Sequence, residues 1–129
     1  MLRQPLTEAS IMEVNIMRDE ALVVLVTAGN RDEAARIAKA LVEDRLAACV
    51  NIVPSIRSIY TWQGEVCDDE ELLLIIKTRK GVMDGLKVRV RELHSYEVPE
   101  VIAFSICDGS IDYLAWIEES TRNPRTAPR

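Results

Sequence analysis

Ala47-Ala48-Cys49-Val50-Asn51-Ile52-Val53-Pro54 runs on through Ser55 to Trp62, and after Gln63-Gly64 and an acidic run the chain climbs again through Leu72-Leu73-Leu74-Ile75-Ile76-Lys77-Thr78. The two halves read as the arms of one long β-hairpin. Glycine takes the positive φ that a tight turn needs, so Gln63-Gly64 makes the turn. With that turn Trp62 faces Glu65, Arg57 faces Glu70 and Val50 faces Lys77. Opposite charges across strands are worth roughly 0.2–1 kcal/mol, which favours the Arg57–Glu70 pairing. A bulge near Pro54 would shift the register beyond it. Each arm runs about 15 residues, or roughly 50 Å, whereas a compact domain of this length has a radius of gyration of about 14 Å. The hairpin therefore overhangs its own domain. A two-stranded ribbon is marginal alone in water, so it is expected to lie on another subunit.

The 129 residues suffice for one domain with its own core. A net charge of −5 argues against a nucleic-acid partner, which calls for a basic footprint. The sequence has no apolar run of about 18 residues, the minimum for a membrane span. Pro5, Glu8 and Glu13 interrupt any basic-then-apolar leader pattern. Three cysteines, odd in number and widely spaced, do not make a disulfide framework. A reduced, cytoplasmic protein is expected.

In chain order, residues 1–20 show no strong period and are expected to form a flexible extension, with Met12 and Met17 as alternative starts. Ile11, Val14 and Ile16 leave a partly ordered arm open. Ala21–Ala28 is a β-branched apolar run, short enough for a strand buried on both faces. Gly29 breaks it, and Asn30 with Glu33 has the spacing of a helix capping box. Ala34, Ile37, Ala38, Leu41 and Val42 then fall on one helical face, and the helix ends near Arg45-Leu46. After the hairpin, Val82, Met83, Leu86, Val90 and Leu93 suggest a second helix, although the alternation Val88-Arg89-Val90-Arg91 suits a strand equally well. His94–Glu100 reads as a polar surface loop in which Pro99 keeps Val98 extended. Val101–Ile106 reads as a buried strand, and Ser110 caps a last helix over Ile111–Glu119. Residues 121–129, with three arginines and two prolines, are expected to be a flexible tail. The order is that of an α+β, ferredoxin-like βαββαβ sandwich over residues 21–120, with an extended central hairpin and a C-terminal helix. Pro54 fits an edge strand, where a missing N–H is tolerated.

Several strings then stand in a telling order: Leu46-Ala47-Ala48-Cys49-Val50-Asn51-Ile52, Ser58-Ile59-Tyr60-Thr61-Trp62-Gln63-Gly64, Ile76-Lys77-Thr78, His94-Ser95-Tyr96-Glu97-Val98-Pro99-Glu100 and Asp112-Tyr113-Leu114-Ala115-Trp116-Ile117. Together they resemble the CutA divalent-cation tolerance family, from about Leu22 to Ser120. The resemblance implies a ferredoxin-like fold, a tight homotrimer built by the long hairpins, and a link to tolerance of copper and other divalent metals. In trimeric plan the family is also similar to the PII signalling proteins, with clefts between subunits. Where members have a proposed copper site, the resemblance implies ligands from a cysteine in the first strand and a histidine pair before the Tyr-x-x-Pro-Glu motif. In this chain Val26 stands at the cysteine position and Leu93 at that of the first histidine, so only His94 is kept.

His94 is therefore the candidate copper ligand, since copper favours imidazole and soft sulfur. Against that stands the plainer reading of a loop histidine hydrogen-bonded to a carboxylate or backbone. Glu97 or Glu100 could assist a metal there. Cys49 is a second, weaker candidate, because a lone strand cysteine is more often a small buried hydrophobe. Cys67 and Cys107 lack zinc-site spacing with it. Asp68-Asp69-Glu70-Glu71 could attract cations diffusely, yet such a run more often solvates or protects a strand edge. Tyr60, Trp62, Lys77, Tyr96, Glu100 and Trp116 are the candidates for an intersubunit cleft. The alternatives are that the aromatics fill the trimer interface and that Lys77 is an ordinary strand charge.

Enzymatic signatures are missing from the sequence: there is no Gly-x-Ser-x-Gly, no phosphate-cradling glycine loop and no paired-carboxylate motif. The expected function is that of a non-enzymatic homotrimeric copper or divalent-metal response protein that binds metal weakly. A PII-like sensor of an anionic metabolite or nucleotide between subunits is the first alternative. A structural trimer with an indirect metal phenotype is the second.

Overall fold

The computed structural model describes residues 19–125. Strand β1 (Ala21–Ala28) leads to helix α1 (Arg31–Glu43), then to the hairpin strands β2 (Cys49–Trp62) and β3 (Glu65–Arg79). A 3₁₀ turn (Lys80–Val82) precedes helix α2 (Met83–Leu93), strand β4 (Val101–Ser105) and helix α3 (Ile111–Ser120). The sheet order is β2-β3-β1-β4, with every neighbouring pair antiparallel. That is the ferredoxin-like arrangement expected from the alternation of elements.

Strand pleating divides the sheet into two faces. Val24 and Val26 of β1 and Leu74 and Ile76 of β3 are buried against Ile37 and Leu41 of α1 and Leu86 and Val90 of α2. Asn30 caps α1 by accepting the Glu33 N–H at 2.9 Å. Glu33 does not return the bond as a capping box would; its side chain turns inward and is buried. Val42, expected on the apolar face, lies at its margin and is exposed. The ambiguous Val88–Arg91 stretch is helical: Leu86 and Val90 share the buried side four residues apart, and Val88 points to solvent. Gly85 belongs there because an added Cβ would stand 3.0 Å from the Leu46 side chain, closing the gap between α2 and the start of the hairpin.

The hairpin turn holds positive φ at both Gln63 (50°) and Gly64 (81°), the geometry that matches the twist of paired strands. Trp62 faces Glu65 and Arg57 faces Glu70, as the turn dictates. A register shift lies between Val53 and Ile56, at Pro54, which has no N–H to give the ladder. Below it the pairing moves by one residue, so Lys77 faces Cys49 and not Val50. The Arg57 guanidinium reaches diagonally to Asp68, at 2.8 and 2.6 Å, while Glu70 accepts the Ser55 hydroxyl at 2.6 Å. β1 pairs with β3 over Leu72–Arg79, so among the described residues the hairpin from Glu71 outward has no third strand. The ribbon overhangs.

Two further expectations need correction. The last strand is not buried: Ile102 and Phe104 are 47% and 54% exposed, because the main helices cover one face of the sheet and β4 lies at its edge. Thr121 does not begin a frayed tail either. It is buried, its hydroxyl and carbonyl accept from Arg79, and the Arg125 N–H reaches the Asp44 carbonyl. The expectations for residues 1–18 and 126–129 lie outside the described residues.

Candidate functional site

Where the ribbon leaves the sheet, the loop after α2 comes up against its root, and between them lies a groove of about 730 Å³. His94 sets that loop. Its imidazole is fully buried, not at the surface as a polar loop would suggest. Nε2 lies 2.6 Å from the Thr27 carbonyl, which can only accept, so Nε2 carries the proton. Nδ1 then accepts the Tyr96 N–H at 3.0 Å. Glu33 completes the clamp: its two oxygens take the Ser95 N–H at 2.5 Å and the Ser95 hydroxyl at 2.9 Å. The strand end, the helix start and the loop are thereby locked together, and Tyr96 is aimed back at β3.

Tyr96 donates its hydroxyl to Glu71 Oε2 at 2.6 Å. Burial, and then that bond, raise its phenol well above the ordinary value. The approach is close enough that a Cβ on Gly29 would stand 3.0 Å from the Tyr96 hydroxyl. Across the groove Tyr60 donates to Asp69 at 2.5 Å, which lifts its phenol to about 12. Asp68 is held below the usual carboxylate range by its bond to Arg57. Glu97, Glu100 and Trp62 also line the groove, with Ile59 and Val98.

Of the candidate cleft residues, Tyr60, Trp62, Tyr96 and Glu100 line this one groove. Lys77 and Trp116 do not. Lys77 is hydrogen-bonded to Asn51 within the four-stranded part of the sheet, and Trp116 packs on Tyr113 with ring centroids 5.3 Å apart. Sequence reasoning missed Thr27, Arg57 and Glu71. Glu71 is the only member of the acidic run that is buried, and its signal was its position next to the apolar Leu72–Ile76.

A copper site built on His94 does not fit these residues. One ring nitrogen holds a proton and the lone pair of the other is already used. Val26 and Leu93 pack in or against the core, and the half-buried Cys49 thiol lies on the opposite side of the pleat near Asn51. Among the described residues no three His, Cys, Asp or Glu side chains are grouped to hold a metal.

The family profile described as CutA1 divalent ion tolerance protein matches residues 22–120. This chain belongs to the CutA divalent ion tolerance family. It is 56% identical over 99 residues to the divalent-cation tolerance protein CutA of Thermus thermophilus, covering 77% of this chain and 96% of that protein. It is 48% identical over 112 residues to a chloroplastic CutA of Arabidopsis thaliana, covering 87% of this chain but 62% of that longer protein. The crystal structure of CutA1 from Oryza sativa superposes with a TM-score of 0.79 at 48% identity, covering 81% of this chain and 96% of that one. The family's fold is therefore this chain's fold. No helix among the described residues is long and apolar enough to cross a membrane.

Proposed function

We propose that this chain is a non-catalytic, cytoplasmic homotrimer serving divalent-cation tolerance. The observation that carries the reading is the part of the second sheet face that no helix covers, beyond the end where α3 packs over Ala21. Val23 and Leu25 of β1, Leu73 and Ile75 of β3, and Ile102 and Phe104 of β4 lie side by side on it. Antiparallel sheets that meet water on one side are polar there, and a contiguous apolar patch of this kind marks an interaction surface. The two edges of the sheet are unlike, long β2 and short β4. A contact from one edge to the other in the next copy is heterologous, and it makes a ring where the rotation between copies closes. The family resemblance supplies the number three. Metal enters such an assembly weakly, through carboxylate oxygens, since His94 is occupied within its own chain. Copper or another divalent cation is then a loosely held effector and not a built-in cofactor. Sedimentation equilibrium at submicromolar concentration is expected to give three times the chain mass of 14.5 kDa. A folded single-chain species would overturn the assembly.

A second reading, that of a small-ligand sensor, is favoured by the groove itself, whose volume falls within the usual range for small-molecule sites, about 300–1,000 Å³. Its charge does not suit an anion. Three glutamates line it against one arginine, and that arginine is already held by Asp68.

A further inference from the structure

Glu71 is 6% exposed, and its Oε2 takes the Tyr96 hydroxyl. Among the described residues its Oε1 has no hydrogen-bond partner, and no lysine, arginine or histidine pairs with the carboxylate. Thr27, 8% exposed, lines the same groove. Its carbonyl is taken by His94, but its hydroxyl has no partner among the described residues. Buried carboxylates are ordinarily paired and buried hydroxyls ordinarily bonded. Two unsatisfied oxygens on one cavity wall therefore ask for a donor that the described residues of one chain do not provide.

The rest of the wall narrows the donor's chemistry. Glu97 and Glu100, both exposed, add negative charge to the groove, and the guanidinium of Arg57 is spent on Asp68. Trp62, Tyr60 and Tyr96 add aromatic surface, which attracts cations and covers apolar stems. A bare metal ion would use none of that aromatic surface and finds no three-ligand group here. Resting on the reading that the groove is a ligand site, we infer that it seats a small organic cation. An ammonium or guanidinium head bonds Glu71 Oε1 and the Thr27 hydroxyl, and an apolar stem lies along the Trp62 side.

The test compares two four-carbon compounds of opposite charge, 1,4-diaminobutane and butanedioate, by calorimetry on the metal-free full chain at low salt. The diamine is expected to bind at least tenfold more tightly. Glu71→Gln keeps an acceptor for Tyr96 and removes the charge, and should weaken diamine binding tenfold or more. Thr27→Val keeps the shape and removes the hydroxyl, and should weaken it by about threefold, as befits one hydrogen bond. Thr27→Val also carries the test should the first variant fail to fold. Diamine binding unchanged in the folded variants overturns the inference. Butanedioate binding that the substitutions alter keeps the groove as a ligand site but overturns the cation. No binding of either compound overturns both.

Discussion

Tyr60 and Tyr96 show how single side chains keep the groove in one protonation state. Each phenol donates to a carboxylate, Asp69 and Glu71 respectively, and ionising either phenol would set two negative charges against each other. Both are raised, and burial raises Tyr113 as well. A group whose proton is held more firmly in the folded state contributes stability that is whole below its unfolded pKa. That stability is lost as pH rises through the folded value. The window therefore opens near pH ~10, the value for a free tyrosine, and Tyr60 closes its part at about 12. An alkaline titration followed by phenolate absorbance should lag behind the same titration in denaturant, and Tyr60→Phe should remove the folded-state step at about 12. Half the phenolate signal by pH ~10 in the folded protein would contradict the bonds. At this scale the sequence was least legible. His94 could be named as the sole imidazole, but whether its nitrogens were free depended on Thr27 and Tyr96, the first of them 67 residues away. Glu71 was hidden for a related reason: a charge run reads as solvated, and only the fold shows which of its members turns inward.

The elements were far more legible, because each rests on local chemistry. Asn30 and Ser110 cap the helices they were expected to cap. The long hairpin, its turn and the irregularity at Pro54 all follow from residue types at known positions. Errors arose where an element's fate depends on what packs over it. β4 is apolar enough to be read as buried, yet among the described residues nothing covers the side on which Ile102 and Phe104 lie. The segment after α3 is polar enough to be read as frayed, yet Thr121 anchors it. The Thr121 hydroxyl accepts from Arg79 Nε at 2.9 Å and bonds the Ile117 carbonyl at 2.9 Å, and its own carbonyl takes Arg79 Nη2 at 2.9 Å. Arg79 also holds Asp19 at 3.2 Å, so it ties both ends of the described chain to the foot of β3. Truncation after Ser120 leaves that guanidinium, mostly shielded from water, with Asp19 alone. The expected loss is about 1–3 kcal/mol for removing partners from a buried polar group, read as a lower midpoint in urea with an unchanged slope. A truncated protein as stable as the full chain would return the segment to the status of a frayed tail.

At the scale of the whole molecule, the open face of the sheet is where a single chain is incomplete. Phe104 and Val88 make the decisive comparison, being similarly exposed on one chain, 54% and 60%, on the open sheet face and the outer side of α2 respectively. Were the single chain the working unit, a charge at either position would be a surface substitution, changing stability by no more than about 0.5 kcal/mol. In a trimer closed over the open face, Phe104→Glu places an unpaired carboxylate in every copy of an apolar interface. The cost of leaving a buried charge without a partner is about 3–5 kcal/mol. Because assembly and stability are then inseparable, that cost should appear as dissociation and as a melting temperature that depends on protein concentration. Val88→Glu should leave both mass and melting unchanged. Sedimentation and thermal melts of the two variants, each across a hundredfold range of concentration, decide the matter. If Phe104→Glu keeps the wild-type mass and melting temperature throughout that range, the open face is not the interface and the trimer must be built elsewhere.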